Sequence, residues 1–570
     1  MTANQPRGDA IIIGIDFGTT YSGVAWAYSC QPDDIEIVTS WDSQLNHCSD
    51  VEKAPTQLFY NETAQGVKWG YGIPSENEPL KWFKLLLLEA KDIPAEVAAS
   101  TQLQEARRLK DKVMKDPIEI IATFLCNLWD HTTESIKRTL GADLVRRCKL
   151  QVVITLPAIW PPYAQQRMKQ AAQRSGILGS RSAGATSLHF ISEPEAAALA
   201  TIKDLSKRST IKDLISYVFE STDPFVVKEC VKGDGGLCGA VFLDEAFIKL
   251  IKNKVPKGTW NFVGHSDEKK FLNDQWEHGI KPQFENQSRT WPVDLPESCS
   301  SDLSTGLKRR ATLDLSSNEI SSVFSPIADK IEALVSRQVD AIQAKYHKDP
   351  KYIVLVGGFG RSRYLFNRLQ DRFGDETILQ SRGTKPWTAI CRGAVVQGLL
   401  RHDPSLSVGL NVEARVARMS YGVKYCTPFI AGKHKKVDKF WDDDEQEYQA
   451  NNQMQWFLKE GESISEKNPV HHDYYRLLSG SAVQTSNTIY CTTTYPPPAR
   501  APNGSASIQK LCTVTWNKTI DARKLPKWTN CQRQTFSKLN YRIQMDCEDG
   551  TVNFKIIHKG ARVGEQNFEV

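Results

Sequence analysis

The stretch that decides the fold is IIIGIDFGTTYSGVAWAY, residues 11–28. Ile11-Ile12-Ile13 is a continuous apolar run, as expected of a strand covered on both faces. Gly14 and Gly18 bracket an acidic residue, Asp16, and Ser22 to Tyr28 reads as a returning strand. The pattern predicts a β-hairpin with Asp16-Phe17-Gly18-Thr19-Thr20-Tyr21-Ser22 at its turn. A glycine there lets backbone N–H groups approach an anion. The hydroxyls of Thr19 and Thr20 can donate to phosphate oxygens. A carboxylate ending a buried strand is placed to hold the water shell of Mg²⁺. A plain tight hairpin turn accounts for the same residues.

Outward from this hairpin, Gln151–Leu156 reads as a buried strand stopped by Pro157, and Tyr163–Ser175 as a helix ended by Gly176. Leu188–Ile191 is a short strand leading into Glu193-Pro194 and a helix from about Glu195. Pro117–Thr139 carries Ile118, Ile121, Phe124, Leu125 and Leu128 at helical spacing. In the second half, Tyr352–Val356 is a buried strand running into Gly357-Gly358. Helices follow at Arg363–Phe373 and Trp387–Leu400. Strand, glycine turn and helix in both halves predict an α/β protein with two related lobes. After Pro404 the character changes. Residues 438–447 (DKFWDDDEQE) read as a solvated acidic loop and Pro496-Pro497-Pro498 breaks regular structure. Thr513–Trp516 and Val552–Ile557 have strand character, so the tail reads as a β-rich domain.

A chain of 570 residues allows roughly three or four domains at about 150 residues each. With 40% hydrophobic and 24% charged residues it is neither a disordered chain nor a collagen or coiled-coil rod. The net charge of +6 is mild and predicts no nucleic-acid partner. None of the thirteen cysteines forms a C-x-x-C pair, which argues against a zinc ribbon and for free thiols in a reducing compartment. Met1–Ala10 has no apolar signal segment, and no run approaches the ~20 apolar residues of a membrane span. The expectation is a cytoplasmic protein without a membrane partner.

IGIDFGTTYSGVAW (13–26) resembles the first phosphate loop of the actin-like ATPase superfamily, in particular the 70-kilodalton heat-shock chaperones. VVITLPAIWPPYAQQRMKQAAQRSG (152–176) followed by ISEPEAAAL (191–199) resembles the first connecting segment of that family. GDGGLCGAVFLDEAF (233–247) is similar to the segment after its second phosphate hairpin, and YIVLVGGFGRSRYL (352–365) to its adenosine loop. WTAICRGAVVQGLL (387–400) resembles its second connecting helix. The resemblance spans about residues 10–402, and the whole chain looks most like a divergent fungal branch that lacks the usual peptide-binding domain. It implies an α/β, actin-like ATPase fold with two duplicated, ribonuclease H-like lobes and a β-rich C-terminal domain. Lobe I would take residues 1–200 and lobe II 201–402, with a small subdomain at about 256–314. The β-rich domain would take 403–570.

The resemblance also implies roles. Gly18, Thr19, Thr20 and Tyr21 would line the phosphates of ATP or ADP, and Asp16 would hold Mg²⁺ through water. Glu193 would orient metal-bound or attacking water; a carboxylate favoured by a helix N-terminus explains it equally. Lys84 matches the family's phosphate-facing lysine, with Lys81 as its rival. Gly239 is a lesser phosphate contact. Gly357 and Gly358 would pack against ribose and adenine, and Arg361 could stack on the base. Glu277 and Lys281 match the small-lobe helix over the adenosine, although their i, i+4 spacing also makes a plain ion pair.

One part of the family pattern is missing. A second glycine-rich phosphate loop with its aspartate should follow the Glu193 helix, but Lys207-Arg208-Ser209-Thr210 stands there, before a returning strand at 213–217. Tyr217 to Ser221 would then lack a neighbouring strand. Phosphoryl transfer depends on positioning between opposed loops, so hydrolysis is expected to be weak or absent. The leading expectation is a chaperone-like ATP-binding protein with unfolded or regulatory protein clients. The alternative is a non-enzymatic pseudo-ATPase scaffold binding a protein through the C-terminal domain, with Trp441, Trp456 and Phe457 as candidates. A small-molecule kinase of the same superfamily is disfavoured, since no sugar-binding aspartate motif is present.

Overall fold

Ala10–Asp16 forms strand β1, buried along its whole length, and the computed structural model places it at the centre of a sheet. The structure describes residues 8–569 apart from 44–50, 62–65, 75, 159, 207–216, 223–224, 232–238, 240, 300–311, 375–377, 381–382, 384, 404–409, 418, 466–468, 480–481, 503, 506 and 549–550. β1 pairs antiparallel with β2 (Tyr21–Tyr28), Ile15 opposite Val24. β2 pairs in turn with β3 (Glu36–Ile37) and β4 (Lys53–Pro55). Helix α1 (Pro117–Leu140) starts on an Asp116 cap, whose side chain accepts the Ile118 N–H, with proline at its first position. It buries Phe124, Leu125 and Leu128 in the core of this lobe with Phe17 and Phe83. β5 (Lys149–Leu156) lies parallel to β1. Helix α2 (Pro162–Arg174), β6 (Ser187–Ser192, parallel to β5) and helix α3 (Glu193–Ser206) follow.

The next described segment departs from expectation. Tyr217–Thr222 (β7) is not left without a neighbour: it pairs antiparallel with Phe225–Glu229 (β8). This hairpin belongs with the C-terminal strands, because the chain divides into one unit of Met1–Ser216 with Asp234–Leu410 and another of Tyr217–Gly233 with Asn411–Val570. The substituted loop Lys207–Thr210 and the segment 213–216 lie outside the described residues.

The first unit resumes with helix α4 (Val241–Lys254), a π-helical stretch over Leu272–Ile280, and an antiparallel pair, β9 (Thr290–Asp294) and β10 (Thr312–Ser316). Helix α5 (Ser317–Tyr346) follows. Parallel strands β11 (Ile353–Leu355) and β12 (Ile378–Gln380) flank helix α6 (Arg363–Phe373), and helix α7 (Lys385–His402) closes the unit. Aromatic side chains build the second core, with the Phe247 and Trp276 rings stacked at 4.2 Å and those of Phe284 and Phe324 at 5.0 Å.

Helix α5 begins with a capping box: Ser316 caps the Glu319 N–H while the Glu319 carboxylate accepts the Ser316 N–H at 2.8 Å. Lys254 also pairs with Glu319. The Lys254 hydrogen bond first, and the Ser316 N–H second, hold the Glu319 carboxyl down at about 2. A depressed carboxyl contributes stability above its ordinary value and loses it as pH falls through the folded one. Glu319→Ala is expected to cost about 1 kcal/mol near pH 7, most of the electrostatic share being lost to solvent at this half-buried site. Denaturant midpoints of variant and wild type should converge as pH drops from about 4 toward about 2. A pH-independent gap would show that the carboxylate is not the source.

Helices α3 and α7 cross in close contact. A Cβ on Gly393 would lie 1.6 Å from the Ala196 carbonyl oxygen, so only glycine lets the backbones approach. Beside it the Arg392 guanidinium grips both oxygens of Asp204, each at 3.0 Å.

In the second unit β7, β8, β13 (Leu410–Val416) and Ser463–Ser465 form one sheet. A five-stranded sheet runs in the order β15 (Lys439–Asp442), β16 (Glu447–Leu458), β14 (Ser420–Pro428), Ser486–Thr492, Gln509–Thr515. A further sheet joins Val470–Leu478, Thr535–Glu548, Thr551–His558 and Ala561–Glu569. Phe457, Trp516, Ile543 and Phe554 are among its core. The acidic run 438–447 is not a plain loop. It makes β15, a turn and the start of β16, because Asp442 accepts the N–H groups of Asp444 and Glu445 at 3.0 and 2.9 Å. Phe457 is core, Trp456 is half-buried and donates to the Pro498 carbonyl at 3.0 Å, and only Trp441 of the three candidates stands exposed.

Candidate functional site

Asp16 ends β1 with its carboxylate buried. The neighbouring edge of β2 carries β4, which sets Lys53 opposite Gly23. The Lys53 ammonium reaches Asp16 at 2.5 Å, and the Thr155 hydroxyl on β5 lies 3.5 Å from the other carboxylate oxygen. The turn that follows is tight. A Cβ on Gly18 would fall 2.1 Å from the Tyr21 carbonyl oxygen, so glycine is needed to close it whatever it binds. Thr19 is half-buried and Thr20 exposed, while the Thr20 carbonyl accepts the Thr56 N–H at 2.8 Å.

Lys84 sits in a 3-10 turn, Phe83–Leu87, entered through Trp82 in the left-handed conformation at φ 59°. Phe83, Leu85 and Leu87 anchor this turn in the core. Lys84 is itself 1% exposed, with its ammonium 5.7 Å from the centre of the Phe17 ring and 5.3 Å from that of Trp160. It pairs with Glu193, the first residue of α3, at 2.7 Å. Two residues 109 apart in sequence thus meet beside the residue preceding Gly18. Lys81, the rival lysine, is partly open to solvent, yet desolvation by the surrounding protein, with Lys269 next, pushes its ammonium down to about 8.

Gly357 has φ +84° and donates its N–H to the Pro386 carbonyl at 2.8 Å. Gly358 packs on the Trp387 ring so closely that a Cβ would lie 2.5 Å from it. The same ring takes the Lys53 ammonium at 4.4 Å and the edge of Tyr21 at 5.5 Å. Trp387 therefore joins the Gly18–Tyr21 turn to the Gly357-Gly358 loop. Arg361 is exposed on the 3-10 turn Phe359–Arg361. Gly239 is exposed just ahead of α4, with Asp234–Cys238 outside the described residues.

Lys281 is held by Glu277 and by Asp244, the latter at 2.7 Å, and Trp276 donates to the same Asp244 oxygen at 2.8 Å. Burial pushes the Asp244 carboxyl up to about 6 against the pull of Lys281. The i, i+4 pair is real, and it serves a cluster on α4.

Lys53, Thr155 and Trp387 escaped the reading of the sequence as site residues. A lysine on a short edge strand has no local pattern that aims it at a carboxylate 37 residues away.

A family described as a domain of unknown function (DUF8568) matches residues 415–567. The chain is 23% identical to human heat shock 70 kDa protein 12A over 533 residues, covering 76% of this chain and 74% of that protein. It is 24% identical to human heat shock 70 kDa protein 12B over 543 residues, with the same coverage. The chain is a divergent heat-shock-70-like protein. Chaperone protein DnaK of Thermosipho melanesiensis is 22% identical over 68% of this chain and 59% of its own length. The α/β unit of this heat-shock-70-like protein accordingly has the actin-like ATPase fold, and β-rich structure follows it.

Heat-shock-70 ancestry brings the expectation of Mg²⁺ at Asp16, and the residues do not fit it. The one carboxylate at the end of β1 already holds an ammonium ion in a buried pair. Among the described residues no three His, Cys, Asp or Glu side chains gather around one point. No helix among the described residues is long and apolar enough to cross a membrane.

Proposed function

We propose that this heat-shock-70-like protein binds ATP or ADP at the Gly18–Tyr21 turn and turns it over slowly or not at all. The observation that carries the reading is the meeting of Lys84 and Glu193 at 2.7 Å next to Phe17, the residue that leads into that turn. An ammonium and a carboxylate poised there suit a phosphate and its attacking water. Trp387 supports the adenosine assignment, since it ties the phosphate turn to Gly357-Gly358. Weak hydrolysis follows from the sequence Lys207–Thr210, which supplies neither aspartate nor glycines to oppose the first loop. A chaperone-like role in the cytoplasm, exerted on protein clients, completes the proposal.

A fluorescent ATP analogue should bind the full chain, and Gly357→Arg should weaken it by about tenfold or more. Unchanged affinity in that variant would remove the adenosine assignment. Phosphate release should not exceed that of an Asp16→Ala control; turnover well above it would overturn the slow-ATPase reading.

A further inference from the structure

Lys53 is built into the site more firmly than a chance neighbour of Asp16. Both side chains are buried, at 5% and 4% exposure. The lysine stem lies across Gly23, where a Cβ would approach its Cγ to 2.8 Å, so the missing side chain on β2 is what admits it. Its ammonium is capped by the Trp387 ring at 4.4 Å, and that ring borders Tyr21 of the phosphate turn. A lysine ammonium has three donors, of which Asp16 uses one. A hydrated dication at this buried carboxylate would stand within a few ångströms of the ammonium already on it, and like charges at such a distance repel strongly.

We propose that Lys53 supplies, as part of the chain, the positive charge that Mg²⁺ would otherwise bring to Asp16, so that nucleotide phosphates are held here without a divalent metal. The inference rests on the nucleotide reading above and specifies its cofactor. Site charge then needs no ion from solution: Asp16 orients the Lys53 ammonium, and the turn N–H groups and Lys84 complete the phosphate environment.

The test titrates ATP into the full chain with Mg²⁺ and again with EDTA. Wild-type dissociation constants should agree within about twofold. Lys53→Met, which opens the carboxylate, should bind about tenfold more weakly in EDTA and recover when Mg²⁺ is added. Wild-type binding that requires Mg²⁺ would overturn the inference and leave the nucleotide reading standing. Absence of binding in both conditions would overturn the two together. If Lys53→Met does not fold, Asp16→Asn serves instead. It leaves the ammonium free for phosphate and should still bind in EDTA, whereas binding recovered only with Mg²⁺ contradicts the proposal.

Discussion

Gly393→Ala is expected to destabilise the first unit although alanine is the better helix former. The propensity gain inside α7 is worth about 1 kcal/mol. Against it stands a methyl group placed 1.6 Å from the Ala196 carbonyl oxygen, with backbone on both sides and no flexible side chain to give way. The helices must separate by more than an ångström, at a cost near the upper end of overpacking, about 3 kcal/mol. Separation also loosens the Arg392–Asp204 grip one residue away. The net loss of about 2 kcal/mol should show as an earlier denaturant transition of this unit. Because Ala196 and Glu193 share α3, nucleotide affinity should fall with it. Wild-type stability in Gly393→Ala would mean that the helices do not pack as closely as the backbones indicate.

The second large effect is an asymmetry between two partners. In Glu193→Ala the Lys84 ammonium stays buried with no carboxylate, and breaking a buried pair from one side costs about 3 kcal/mol or more. Lys84→Met replaces the ammonium by an apolar chain of similar length between Phe17 and Trp160. Glu193, whose side chain keeps 28% of its exposure, can turn to water. Lys84→Met should therefore stay within about 1 kcal/mol of wild type. Both variants should lose nucleotide affinity. Equal destabilisation by the two would indicate that Lys84 is solvated after all.

The first hairpin was legible because its signal is local: a continuous apolar run, a glycine turn and a returning strand lie within residues 11–28. Lys84 and Glu193 were legible only through resemblance to a family, since no spacing rule links a 3-10 turn to a helix start 109 residues on. Lys53 was illegible for a related reason. Its role depends on which residue of β2 faces it across a ladder, and that register is a tertiary fact. The neighbour of β7 was not legible because the expectation sought it in the missing phosphate-loop strand, whereas strand pairing follows whichever edge is available, here that of β8.

That hairpin also sets an order of assembly. β7 and β8 leave the ribosome about 180 residues before β13, the strand that continues their sheet. At roughly 5–20 residues per second, the edge of β8 waits about 10–40 s for its partner. During synthesis the hairpin is thus an unprotected strand edge, and a chain interrupted after the α/β unit would carry it permanently. A separately expressed fragment beginning at residue 411 would bear the complementary open edge on β13. The two pieces, mixed, carry matching edges for non-covalent complementation.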